Sequence, residues 1–201
     1  MRRLSIVVLI AVVVAAGVFA AEQVQTKKIE YKDGSTYEGE VVKKVPNGQG
    51  TCTFADGAVY AGEWKEGVID GTGTFTFAAG ERYEGEFVQG VISGSGTFYL
   101  SNGDRYEGQF ADGTAAGSGT YYWSSGEKLE AQFSGGAANG EGTFTFANGD
   151  TVKTTFTDWA PGTQITYTWA DGDRFEGSRK NGGLGTGWFY PKNGEKFEVT
   201  N

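Results

Sequence analysis

The chain has 201 residues, 38 % of them hydrophobic and 21 % charged, and a formal net charge of −8. Its 34 Gly, against 3 Pro and 1 Met, exclude a helical bundle, because an interior Gly costs a helix about 1 kcal/mol relative to Ala. With 0 His and 1 Cys, imidazole triads and Cys/His metal sites are excluded too, while 14 Phe, 10 Tyr and 5 Trp favour strands.

Residues 1–20 read as a secretory signal peptide. Met1-Arg2-Arg3 is a basic start, Ile6 to Ala21 is unbroken apolar sequence, and Val18-Phe19-Ala20 suits cleavage after Ala20. An uncleaved anchor is the alternative, although a spanning helix needs about 20 apolar residues. Cleavage would remove two Arg and move the net charge from −8 to −10. The first Cys is Cys52, so no Cys near the cut can carry a lipid. The expected location is periplasmic, cell-envelope or extracellular. Residues 21–28 read as a short linker.

Residues 29–201 carry a repeat. Tyr37-Glu38-Gly39 is followed at 23-residue steps by Tyr60-Ala61-Gly62, Tyr83-Glu84-Gly85 and Tyr106-Glu107-Gly108. Weaker copies stand at Leu129-Glu130-Ala131 and Val152-Lys153-Thr154, then Phe175-Glu176-Gly177 restores the pattern. A 22-residue step reaches Phe197-Glu198-Val199. Two further markers keep the rhythm: a Gly-x-Gly pair, as at Gly48-Gln49-Gly50 and Gly94-Ser95-Gly96, and a turn Gly, as at Gly57, Gly80 and Gly103. A fixed period of this length marks a repeat architecture.

Each unit reads as a β-hairpin. Gly73-Thr74-Phe75-Thr76-Phe77 and Arg82-Tyr83-Glu84-Gly85-Glu86-Phe87 both alternate, the pattern of half-buried strands. A two-residue turn would place Phe75 opposite Glu84 and mix the faces. A three-residue loop, a type I turn closed by Gly80 at positive φ, places Phe75 opposite Tyr83 and Gly73 opposite Gly85. Phe75, Phe77, Tyr83 and Phe87 then share one face, and Thr74, Thr76, Arg82, Glu84 and Glu86 the other. The facing Gly leave a gap that a ring from the same or the next repeat should cover.

The repeat also assigns the odd residues. Cys52 stands 23 positions before Phe75, an aromatic-face position, and reads as a small core residue with no disulfide partner. Trp64 aligns with Phe87, and Trp123 and Trp169 with Phe77. The expected packing set is therefore Tyr37, Gly39, Tyr60, Gly62, Trp64, Phe75, Tyr83, Gly85, Phe87, Phe98, Tyr106, Gly108, Phe110, Phe175 and Gly177. No residue is expected to bind a cofactor or metal, or to act in catalysis.

The unit Tyr83-Glu84-Gly85-Glu86-Phe87…Gly90…Gly94-Ser95-Gly96-Thr97-Phe98…Asn102-Gly103 resembles a MORN repeat (membrane occupation and recognition nexus). The resemblance covers about residues 29 to 199. It implies an all-β fold: an elongated single-layer antiparallel sheet of about seven to eight tandem 23-residue hairpins. Two strands per unit give a rise near 10 Å, hence a rod or arc of roughly 70–80 Å. Ala131, Thr154 and Trp159-Ala160-Pro161-Gly162-Thr163 depart from the repeat, which predicts degeneracy over 129–165, a distorted joint near 152–165 and an atypical last copy around Gly187-Trp188-Phe189-Tyr190-Pro191.

The resemblance implies a scaffold, a dimerisation rod or a membrane-apposed adaptor. Its open edges invite a protein partner or a second copy. An enzyme is not expected, since the recurrent Glu are about 10 Å apart, beyond glycosidase pairs. Nucleic acid is disfavoured by the negative charge, and so is strong attraction to anionic lipid. Lipid binding and glycan binding remain alternatives, the second resting on the surplus rings Tyr99, Tyr122 and Trp188.

Overall fold

The computed structural model describes residues 23–200; the expected signal or anchor segment and residues 21 and 22 of the expected linker lie outside them, whereas residues 25–28 of that linker are paired in the first strand of the sheet. The strands follow one another in space as in sequence, every neighbouring pair antiparallel. β1 (Gln25–Glu30) pairs with β2 (Thr36–Val42), then β3 (Val45–Thr53) with β4 (Val59–Lys65) and β5 (Val68–Thr76) with β6 (Arg82–Val88). β7 (Val91–Tyr99), β8 (Arg105–Ala111), β9 (Thr114–Tyr122), β10 (Lys128–Ser134), β11 (Ala137–Thr145) and β12 (Thr151–Thr157) extend the sheet in the same rhythm. β13 (Ala160–Pro161) and β14 (Gln164–Thr168) share the place of one strand, and β15 (Arg174–Lys180), β16 (Gly183–Tyr190) and β17 (Phe197–Val199) complete it. Among the described residues one sheet holds all 17 strands.

A two-residue turn does not join β5 to β6, and the loop follows the expected parity. Phe75 faces Tyr83 and Gly73 faces Gly85. The Phe77 amide donates to the Glu81 carbonyl at 2.8 Å, and Gly80, at φ +100, closes the three-residue loop.

Sequence reasoning overlooked the second turn of each unit. Gln89-Gly90 joins β6 to β7 in two residues, with φ of +50 and +82. Both positive values make a type I′ turn, whose twist suits flanking strands. A bulge accompanies it. Gly85 pairs with Gly96 and Phe87 with Ile92, so Glu86 alone faces Ser93, Gly94 and Ser95. The Glu86 carboxylate folds over this swelling and accepts the Ser95 amide at 3.0 Å. Glu40 does the same for Gln49 at 2.8 Å.

Neighbouring units are stitched at both ends. The Gly90 amide donates to the Ile69 carbonyl and the Gly67 amide to the Pro46 carbonyl, each at 2.8 Å. At the opposite ends Asp104 accepts the Ser124 amide and Asp150 the Ala170 amide, both at 2.9 Å. Strand-to-strand register and these end bonds are thus satisfied by the adjacent repeat.

One face carries the core. Tyr37, Tyr60, Tyr83 and Phe175 are fully buried although the sheet has a single layer. The other face carries Thr and charged residues. Arg105 bonds Glu107 at 2.7 Å and lies 3.8 Å from the centroid of Tyr122; Arg82 and Arg174 repeat this with Glu84 and Tyr99, and with Glu176 and Tyr190. These pairs are substantially solvated, so each ion pair contributes at most about 1 kcal/mol.

The last two units are irregular. β13 and β14 are separated at Gly162-Thr163, where the joint was expected, and β17 is only three residues long.

Candidate functional site

The aromatic face is built as two ladders. In the inner ladder Tyr60, Tyr83 and Tyr106 are each met edge-on by the ring four residues later and by its copy one repeat on, while Tyr37, followed by Val41, has the second contact only. Tyr60 lies 5.5 Å from Trp64 and 5.2 Å from Phe87; Tyr83 lies 5.2 Å from Phe87 and 5.0 Å from Phe110. Tyr37 meets Trp64 at 5.2 Å, and Tyr106 meets Phe110 at 5.2 Å and Phe133 at 4.8 Å. Edge-to-face pairs of this kind add about 0.5–1.5 kcal/mol beyond burial.

The glycines make room for these rings. A methyl group on Gly85 or Gly96 would overlap Tyr83; the same holds for Gly62 and Gly73 beneath Tyr60, and for Gly108 beneath Tyr106. Gly39 lies beneath Tyr37, and Gly177 beneath Phe175. The ring covering the gap is thus from the same repeat. Tyr83 donates its hydroxyl to the Glu86 carbonyl at 3.2 Å, Tyr60 to Glu63 at 3.0 Å and Tyr37 to Glu40 at 2.6 Å. Burial pushes the Tyr37, Tyr60 and Tyr83 hydroxyls up to about 12.

The outer ladder runs beside the three-residue loops and is only half-buried. Phe54, Phe75, Phe77 and Phe98 follow at centroid distances of 5.7, 4.7 and 5.7 Å. Cys52, at the strand position that Phe75 takes one repeat on, is 3 % exposed. Further along come Tyr121, Trp123, Phe144, Phe146, Tyr167 and Trp169, each within about 6 Å of the next ring or two.

The inner ladder stops where the repeat degenerates. Leu129 and Val152 stand where the earlier units have Tyr, and Ala131 and Thr154 where they have Gly. Thr154 turns its hydroxyl to the Gln164 carbonyl at 2.7 Å instead of receiving a ring. The space those rings would fill is a groove of about 620 Å³, walled by Trp123, Phe144, Phe156, Trp159, Tyr167 and Trp169, with Arg179 at its side.

Trp159 was also overlooked as a site residue. It occupies the second place of the type I′ turn, at φ +68, where the first copy carries Lys44 and the others Gly67, Gly90, Gly113, Gly136 and Gly182. A side chain there costs about 1–2 kcal/mol. The ring is held edge-on to Phe133 at 5.5 Å and Tyr121 at 5.4 Å, and remains 38 % exposed at the groove's end. Its signal in the sequence is a break in a 23-spaced column of Gly.

Tyr167 links the groove to a buried carboxylate, and Tyr121, edge-on to Trp159 outside the groove lining, makes a pair of the same kind. Tyr121 donates to Asp104 at 2.8 Å and Tyr167 to Asp150 at 2.5 Å. Both hydroxyls are pushed up to about 12, chiefly by burial. The Ser124 amide foremost holds Asp104 below its usual 3.8, and the Tyr167 hydroxyl foremost does so for Asp150.

The polar face is concave around Glu107, Glu130, Glu141 and Lys153, a space of about 740 Å³. Among the described residues no cluster of acidic or Cys side chains could hold a metal ion. The rings weighed for sugar stacking, Tyr99, Tyr122 and Trp188, each carry a cation over one face; Lys196 lies 4.6 Å from Trp188.

The geometry defines a tandem-hairpin, single-layer β-repeat scaffold. The chain belongs to the MORN repeat family, matching it over residues 37–59, 60–82, 83–105, 106–128, 130–151 and 166–174. No curated protein sequence matches the chain. Among solved structures it is similar to the TCP domain of SAS-4 (dCPAP) of Drosophila melanogaster, in complex with a proline-rich motif of Ana2 (dSTIL). The TM-score is 0.53 at 14 % identity, covering 100 % of this chain and 99 % of that one. The wild-type TCP10 domain of Danio rerio CPAP matches with a TM-score of 0.32 at 11 % identity, over 87 % of this chain and 100 % of that one.

Proposed function

We propose that this chain is a non-enzymatic protein-interaction scaffold, whose groove between β9 and β16 receives an extended, proline-containing segment of a partner protein. The observation that carries this reading is the groove itself, apolar and aromatic-walled, opened where Leu129 and Val152 replace Tyr. Trp123, Phe146 and Trp169 stand one per repeat along it, two strand spacings or about 9.6 Å apart. A polyproline II segment advances about 9.3 Å per three-residue turn. A Pro at every third position would meet a ring at each step, a mode aromatic-lined grooves use. The similar TCP domain has a proline-rich partner in its solved complex, which agrees with this reading.

The test is a tryptophan-fluorescence titration of the full chain with a short peptide bearing Pro at every third position, against its Pro-free counterpart. Saturable binding of the first alone, lost in Trp159→Ala, is the expected result. Equal binding of both peptides, or none, would sink the proposal. Retention on vesicles or on purified peptidoglycan in its place would move the function to the lipid or glycan alternative.

The basic start and apolar run of residues 1–21 support a place of action outside the cytoplasm. Fractionation of the host with N-terminal sequencing checks this; a cytoplasmic chain beginning at Met1 would overturn it.

A further inference from the structure

The first and last strands of the sheet are unlike the strands between them. Inside the array, the strand before each type I′ turn pairs with the strand after it in a fixed register: Arg82 faces Tyr99, Tyr83 faces Phe98, Glu84 faces Thr97 and Gly85 faces Gly96. β17 has the pairing of a first such strand. Phe197 faces Phe189 of β16 as Tyr83 faces Phe75 of β5. β1 has the pairing of a second such strand, since Ile29 faces Tyr37 of β2 as Phe98 faces Tyr106 of β8. Among the described residues the outer edge of each is unpaired.

We propose that the two ends are complementary, and that β17 of one copy pairs antiparallel with β1 of the next, continuing the repeat between chains. The register then follows without a free choice. Lys196 faces Glu30, Phe197 faces Ile29, Glu198 faces Lys28 and Val199 faces Lys27. Two opposite-charge pairs flank an apolar pair, and Phe197 and Ile29 both lie on the aromatic face.

The charges on β1 are what single it out. At the two positions equivalent to Lys28 and Glu30, the other described strands of its kind carry Thr, Tyr or Trp: Thr51 and Thr53, Thr97 and Tyr99, Thr120 and Tyr122, Trp188 and Tyr190. Lys28 and Glu30 are strongly exposed and bond only loosely to each other, at 3.6 Å, with Glu38 opposite Lys28 on β2. Glu198 of β17 and Lys196 just before it are exposed, and Phe197 is 52 % exposed. Directly opposed unlike charges stabilise a strand pair, and like charges destabilise it by similar amounts.

Val199 and Lys27 stand where the array has facing Gly, so no ring locks the junction as Tyr83 locks Gly85 to Gly96. Only four residue pairs meet. The contact is therefore reversible and small for a specific interface. Because each chain offers both ends, a head-to-tail contact of this kind does not close at a dimer but extends into a filament. The β1 side of the junction is remote from the groove, and on the other side β17 pairs with β16 at Gly187–Phe189, beyond the groove residues Gly183 and Leu184.

Sedimentation velocity of the full chain tests it with two variants: Lys28→Glu/Glu30→Lys, reversed at the first strand, and Lys196→Glu/Glu198→Lys, reversed at the last. The weight-average mass of the unmodified chain should rise without a dimer plateau between about 10 µM and 1 mM, and less steeply in high salt. Each variant alone should associate at least about tenfold more weakly. Mixed one to one they should assemble again, since each presents the end the other now fits. Circular dichroism of both should match the parent, and melting should fall only slightly, since Lys28 gives up its place opposite Glu38 and Lys196 its place over Trp188 while all four side chains are exposed. A monomeric parent, undiminished association of either variant, or a mixture that stays monomeric would overturn the proposal. Association through the apolar residues 6–21 would produce the second of these outcomes.

Discussion

Tyr83 lies against Gly96 of the adjacent strand so closely that a methyl group there would overlap its phenol ring, and its hydroxyl donates to the Glu86 carbonyl at 3.2 Å. One side chain thereby closes the gap between two strands and satisfies a carbonyl at the bulge. Gly96→Ala should cost about 1–3 kcal/mol by overpacking. In a Tyr83→Leu background the same change should cost at least about 1 kcal/mol less, a coupling that urea denaturation of the four proteins measures. Additive losses would mean the ring is not what excludes a side chain at Gly96.

Trp159 combines a strained backbone with an exposed ring. Trp159→Gly relieves the positive-φ cost while removing the contacts to Phe133 and Tyr121, so stability should stay within about 1 kcal/mol of the parent. Affinity for the proline-rich peptide should fall at least about tenfold if the ring anchors the ligand. Loss of stability with unchanged affinity would make Trp159 a packing residue only.

Alkali should unfold the chain. Burial disfavours the phenolate of Tyr37, Tyr60, Tyr83, Tyr121 and Tyr167, raising each from 10.0 to about 12. A value raised in the folded state gives stability that is complete below pH 10 and lost as pH climbs toward 12. Phenolate absorbance should therefore show a late, cooperative step coincident with loss of strand signal. Early, gradual ionisation of all ten Tyr would contradict the inner ladder.

Acid should act at the loop end of the units. Asp104 and Asp150 ionise below their ordinary 3.8 because amide and phenol donors favour the carboxylate. Their contribution is present above that value and disappears as pH falls through the lower folded values. Urea midpoints should hold from about pH 7 to 5 and drop below about pH 4. The combined variant Asp104→Asn/Asp150→Asn should flatten the drop.

Cys52 should be chemically silent. It is buried beside Tyr37 and Tyr60, and burial foremost raises its thiol above the ordinary 9.0. Thiol reagents should modify it only under denaturing conditions; rapid labelling of the native chain would show that the core opens there.

The hairpins, their parity and the three-residue loops were legible because alternation along Thr74-Phe75-Thr76-Phe77 admits one register. The aromatic and Gly positions followed from the same period. The type I′ turns were less visible, because Lys43-Lys44 and Asp158-Trp159 adopt positive φ without a leading Gly signal. The bulge opposite Glu86 was hidden because it preserves the in-out alternation on both sides. The groove was hidden for another reason. It is made by absent rings, and sequence reasoning counted Leu129 and Val152 as weak copies without asking what volume they leave.

The single layer has a consequence for how such a chain changes length. The side-chain bonds between units described above join adjacent units only, and in the regular stretch from β2 to β9 both ends of a unit present the surface that the next expects. Gaining or losing 23 residues would therefore shift everything downstream by one rung while leaving each local environment intact. Reach is a quantity this architecture can adjust in steps of about 10 Å without redesigning a core.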